Sequence, residues 1–153
     1  MNINTYGIGN SWVSELVIAD ESTLGLRVKT FPPTGNGTQT LWDGDYTNVD
    51  DPGIGLTSIA TNLPGAAETF THGYTMADGT AIRAIIVGAS AGSNEADGVH
   101  AMLGGYELSF LKPLSPSASQ NLAIYETNPA TGNPYTAAEF NSLEFGVRSA
   151  ESV

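Results

Sequence analysis

The fold is read most directly from Glu126–Ala150, ETNPATGNPYTAAEFNSLEFGVRSA. Its first part, Asn128-Pro129-Ala130-Thr131-Gly132-Asn133-Pro134, is dense in turn formers. Proline fixes φ, glycine permits positive φ, and asparagine folds back on its own backbone. Thr136-Ala137-Ala138-Glu139 fits a capping box, in which the threonine accepts from the third helical N–H and the glutamate reaches back. Phe140 and Leu143 then lie three apart, on one face of a helical turn. From there Leu143, Phe145 and Val147 alternate with Glu144, Gly146 and Arg148, the period of a half-buried strand. The stretch predicts a rigid turn, a helical plug with Phe140, Leu143, Phe145 and Val147 buried, and a closing strand.

The rest of the chain repeats the strand signal. Leu24–Phe31 alternates and stops at Pro32-Pro33, a strand ended by a turn, and Thr34–Thr38 reads as loop. Ile54–Ala60 predicts a short strand, and Thr69–Met76 sets Phe70, His72, Tyr74 and Met76 on one face. Ala81–Ala89 is apolar on both faces, as a central strand is. Val99–Leu111 carries Gly104-Gly105 in its middle, the mark of a bulge or bend, and Ser90–Gly98 reads as a hairpin-like loop. Asn121–Tyr125 is a further strand. Seven to nine short strands with a turn signal every 8–12 residues or so describe a sandwich or jelly roll. The expected class is all-β: a single-domain antiparallel β-sandwich of the jelly-roll type over residues 24–153, with one short helical turn near the C-terminus. Residues 1–23 stand apart as an N-terminal arm or an extra strand.

Composition narrows the function. The chain has 153 residues, enough for one domain with a real core. Only 14% are charged, below the usual quarter, and 18 glycines and eight prolines favour short strands over long helices. Formal net charge is −11, which repels phosphate backbones and speaks against nucleic-acid binding. There are no cysteines, so disulfides and thiolate metal sites are excluded. No apolar run is long enough for a membrane helix, and the N-terminus lacks the basic start and apolar stretch of a secretory signal.

Each candidate for chemistry has a structural reading beside it. Asp43, Asp45, Asp50 and Asp51 crowd one loop, and calcium takes oxygen ligands from such loops. EF-hand spacing fails, so the loop reads as a solvated acidic turn, with Asp43, Asp45 and Asp50 the weak candidate ligands. His72 and His100, the only histidines, sit in apolar strands and read as structural; no Gly-x-Ser-x-Gly elbow accompanies them. Glycosidase chemistry needs two converging carboxyls. Glu107 and Glu126 lie on or beside strands, but nothing in their spacing singles them out. Trp12, Trp42, Tyr46, Tyr106 and Tyr135 are the material for a sugar-stacking platform, although scattered aromatics more often serve core or interface. We expect no catalytic residues and no cofactor.

Together these residues resemble a loosely defined group of tailed-phage virion proteins, from Leu24 to Arg148. The resemblance is carried by a strand near the start, a Trp followed by the Val49-Asp50-Asp51 turn, and the apolar strand with an arginine at Ala81–Ala89. It is most specific at the close: Tyr125–Gly132, then Tyr135–Asn141, then Leu143–Val147. The chain departs from the group in its extension, Met1 to about Thr23, and in Tyr135 where the pattern has Trp. The resemblance implies a jelly-roll β-sandwich built into the virion, without enzyme activity. The expected role is a capsid decoration or cement protein, a homotrimer made in the host cytoplasm and seated on the outer capsid surface against the major capsid protein. The alternative is a tail or fibre module binding host-surface glycans.

The N-terminal segment is more apolar than a solvated tail. Trp12, Val13, Leu16, Val17 and Ile18 fall within seven residues, while Glu15, Asp20 and Glu21 keep part of it wet. These five side chains are the expected interface residues, packing on a neighbouring subunit or the shell; an extra strand in the chain's own sandwich is the competing expectation. Deleting residues 1–20 separates the two. On the arm reading the truncated chain still melts cooperatively but loses oligomer or particle binding. On the strand reading it no longer folds.

Overall fold

A computed structural model describes residues 27–50, 57–95 and 98–151. Trp12, Val13, Leu16, Val17 and Ile18 lie outside the described residues, as does Asp51. Contacts divide the chain into two units, Met1–Thr30 and Phe31–Val153. Among its described residues the second holds seven strands and one helix: β1 (Gly35–Thr40), β2 (Ala67–Thr71), β3 (Ile85–Ala91), β4 (Val99–Leu103), β5 (Tyr106–Leu108), β6 (Ser119–Tyr125), α1 (Ala137–Asn141) and β7 (Phe145–Ser149). A 3-10 turn, Tyr46–Asn48, follows β1.

The strands form two antiparallel sheets, one of five strands in the order β1-β2-β7-β4-β5 and one of two, β3-β6. The fold is all-β with one short helix, as the sequence predicts. The seven described strands fall one short of the eight of a jelly roll.

Register shows where the core lies. Phe145 stands opposite Phe70 on one side and Leu103 on the other, and Val147 stands between Glu68 and Ala101. Directly opposed residues share a face, so Phe70, Phe145, Leu103, Ala101 and Val147 line one side of the larger sheet. Val87 of β3 and Ala123 and Tyr125 of β6 join Ala101, Leu103 and Val147 in one buried cluster, closed by Ile82, Phe110, Leu114, Tyr135 and Phe140. The Tyr125 hydroxyl crosses between the sheets, 3.0 Å from the Ala101 carbonyl oxygen and 3.2 Å from that of Tyr106. Burial raises its pKa well above the ordinary tyrosine range, so it stays a donor.

The closing block forms as read. The Thr136 hydroxyl accepts from the Glu139 N–H at 3.2 Å, and the Glu139 carboxylate accepts from the Thr136 N–H at 2.7 Å. Asn128 donates to the other oxygen of Glu139 at 2.9 Å, which ties the turn to the helix. Phe140 and Val147 are buried, whereas Leu143 and Phe145 are only partly so. The strand does more than complete an edge: β7 sits between β2 and β4. Gly146 makes that possible, since a Cβ there would collide with the Glu68 carbonyl oxygen and lie 2.9 Å from the Thr69 Cα.

Elsewhere the local signals mislead. Residues 27–31, expected as strand, have no regular structure, and the expected loop at Gly35–Thr40 is β1. Gly37 fits there because Thr69 and the Glu144 carboxylate occupy the space a side chain would need. The described end of the Ile54–Ala60 strand makes only a bridge from Ala60 to Asp43. Gly104-Gly105 is not a bulge. Both have positive φ, 57° and 85°, and form the two-residue turn of the β4–β5 hairpin. Ser90–Gly98 is no hairpin loop either, because β3 and β4 belong to different sheets.

Phe140 tests the plug. Its ring lies 4.5 Å from that of His72 and 5.8 Å from that of Phe31, centroid to centroid. Phe140→Ala is expected to cost about 3 kcal/mol, the range for an emptied aromatic site. A denaturant melt that shifts by less than about 0.5 kcal/mol would contradict the placement.

Candidate functional site

The most distinctive exposed feature is the outer face of the two-stranded sheet. Ala81–Ala89 reads as a central strand because it is apolar on both faces, yet among the described residues β3 pairs with β6 alone. The inward set, with Val87, Ala123 and Tyr125, enters the core. The outward set stays open: Ile86 is 53% exposed, Leu122 44% and Ile124 36%. Ile86 stands opposite Ile124, and Gly88 opposite Leu122, so the four positions form one continuous strip. Leu111, 63% exposed, extends it, held there by a 2.8 Å bond from its N–H to the Leu122 carbonyl oxygen. Two of the chain's five bases flank this strip in sequence: Arg83 precedes β3, and Lys112 follows Leu111. Glu126, just past β6, is the adjoining carboxylate.

The acidic loop is organised by its own backbone. Asp45 caps the 3-10 turn, accepting from the Thr47 N–H at 2.9 Å and the Thr47 hydroxyl at 2.6 Å. Asn48 returns the bond, accepting from the Asp45 N–H at 3.0 Å. Asp43 pairs its backbone with Ala60 in both directions, at 2.7 and 3.1 Å. Among the described residues no three His, Cys, Asp or Glu side chains gather as a metal-binding group.

The histidines take different positions. His72 packs among Phe31, Phe140 and Phe145, with Nε2 3.0 Å from the Phe140 carbonyl oxygen. His100 Nδ1 lies 3.4 Å from the Ser109 hydroxyl, a long contact. Neither carboxylate of the suggested pair faces the other across a groove. Glu107, on β5 of the larger sheet, forms a 2.6 Å salt bridge with Arg148, whereas Glu126 follows β6 of the smaller one. Arg148 also donates to the Gly65 carbonyl oxygen at 3.0 Å and to Glu151 at 3.2 Å. The aromatic platform is not assembled among the described residues. Trp42 donates through Nε1 to the Ala66 carbonyl oxygen at 3.0 Å and packs on the core, and Tyr135 is buried. Tyr106 is exposed.

Two carboxylates escape the sequence reading. Glu144 accepts from the Thr38 N–H at 2.9 Å, the Thr38 hydroxyl at 2.9 Å and the Thr69 hydroxyl at 2.8 Å, joining β1, β2 and the start of β7. Burial pushes its pKa up, but these bonds outweigh burial and hold it below the ordinary range. Glu68 is fully buried; Oε2 accepts from the Trp42 N–H at 3.1 Å and Oε1 has no partner. Burial raises its pKa, against the lowering effect of the Trp42 and Leu41 N–H groups. Glu in a strand interior carries no signal that separates a buried from an exposed position.

No protein-family model, curated protein or solved structure matches the chain. Among the described residues no helix is long and apolar enough to cross a membrane.

Two measurements check the electrostatics. If the acidic loop is a self-capped turn, adding calcium to about 1 mM leaves Tm unchanged; a rise of several degrees would make Asp43, Asp45 and Asp50 ligands. For Glu68 the folded pKa lies above the ordinary 4.5. Its contribution to stability is therefore full below 4.5 and lost as pH rises through the folded value. Glu68→Gln keeps an acceptor for Trp42 and removes the charge. Relative to the parent, the variant should gain denaturant stability as pH rises above 4.5 and through the folded value. An unchanged difference across that window would contradict a strained carboxylate.

Proposed function

We propose that the protein is a non-enzymatic structural component of a tailed-phage virion, a capsid decoration or cement protein. On this reading it is a homo-oligomer, a trimer, made in the host cytoplasm and placed on the outer surface of the shell. There it stabilises the particle through contacts with the major capsid protein, and it uses no cofactor. The observation that carries the reading is the open apolar strip of Ile86, Leu122, Ile124 and Leu111 on an otherwise acidic chain. Contiguous apolar surface marks protein contact. The strong negative charge suits an outer layer that does not compete for packaged DNA. The turn, capped helix and strand at 126–149 also form one unit, in keeping with the resemblance drawn from that block. A tail or fibre module binding glycans is less favoured, because Trp42 and Tyr135 turn into the fold rather than towards a sugar.

The test is imaging of purified particles that carry the protein. Copies at symmetric positions on the outer shell support the proposal. Copies confined to the tail, or none on the particle, overturn it.

A further inference from the structure

We propose that the strip formed by Ile86, Leu122, Ile124 and Leu111 receives the Trp12–Ile18 segment of a neighbouring copy, so that an exchanged arm holds the oligomer together. The inference rests on the reading of the strip as a protein-contact surface and names its occupant.

Three observations favour the arm. First, the strip is exposed in the single chain, on both strands of a two-stranded sheet, with Leu111 alongside. Second, 26 residues precede the first described residue, Arg27, and they hold a matching apolar segment: Trp12, Val13, Leu16, Val17 and Ile18. The nine residues from Ile18 to Arg27 reach up to roughly 30 Å when extended, far enough to leave one subunit for the next. Third, the charges complement. The segment before Arg27 carries Glu15, Asp20 and Glu21 and no base, while Arg83 and Lys112 flank the strip in sequence. Glu126, just past β6, is an acid that flanks it in sequence.

A second copy of the strip is a poorer occupant. Two identical strips would gain no charge complementarity from the arm's acids. An arm passed to the next copy closes the assembly into a ring where the rotation between copies permits it. A ring of three fits the expected trimer.

The chain has no cysteine, so introduced thiols report without background. The full chain carrying Leu16→Cys and Leu122→Cys is oxidised and run on a non-reducing gel; Val13→Cys with Ile124→Cys is the second pair. Before oxidation, each variant must match the parent in melting temperature and sedimenting mass, and the pair that does is the one read. Covalent multimers ending at the mass of the native oligomer, with neither single-cysteine variant giving more than traces of dimer, support the arm. Three results overturn it: a disulfide within one chain, which seats the segment on its own subunit; a dimer from Leu122→Cys alone, which pairs strip with strip; or no disulfide from a native-like oligomer. Particle imaging is independent of this result. Exchanged disulfides in a protein absent from the shell would leave the arm standing and remove the decoration role.

Discussion

The larger sheet depends on β7. Phe145–Ser149 pairs with β2 on one side and β4 on the other. Without it, β1-β2 and β4-β5 are two separate ribbons, and two-stranded ribbons are marginal in water. The last strand of the chain thus joins elements from its beginning and middle. Side-chain bonds reinforce that junction over long separations. Ser149 donates to the Leu63 carbonyl oxygen at 2.6 Å, and Glu144 gathers Thr38 and Thr69. Loop closure of this length is entropically costly and makes such sheets slow to form.

The second constraint is the seam between sheets. Tyr125 spans it with a hydroxyl aimed at backbone oxygens of β4 and β5, which satisfies a polar group inside an apolar cluster. Phe140 and Tyr135 fill the same cluster from the closing block. Not every buried polar atom is so well placed. Glu68 Oε1, His72 Nδ1 and Asn121 Oδ1 lack partners in the protein, and such groups cost stability. Glu68 keeps its place because its other oxygen holds the Trp42 N–H where the chain leaves β1.

The two sheets have unequal consequences at the surface. β7 lies flanked on both sides within a five-stranded sheet. Among the described residues the smaller sheet has two strands, and the apolar strip on its outer face meets solvent in the single chain. The proposals for function and for the exchanged arm meet on that strip: a part built for adhesion needs a surface it does not cover itself.

The amino-acid pattern alone determined the all-β class, the capped turn of helix at Thr136–Glu139, the strand at Phe145–Val147 and the strand around Asn121–Tyr125. These are local features. A capping box closes within four residues, and strand alternation needs only its own period. The tertiary structure decided what local rules do not reach. Gly35–Thr40 is a strand because β2 supplies a partner, not because its residues favour extension. Ala81–Ala89 looked central because apolarity on both faces does not say which face meets the core and which waits for another chain. The inward turn of Trp42 and Tyr135 and the pairing of Glu107 with Arg148 belong to the same class. They depend on strand order and register, and partners 24 to 106 residues apart leave no trace in a short window of sequence.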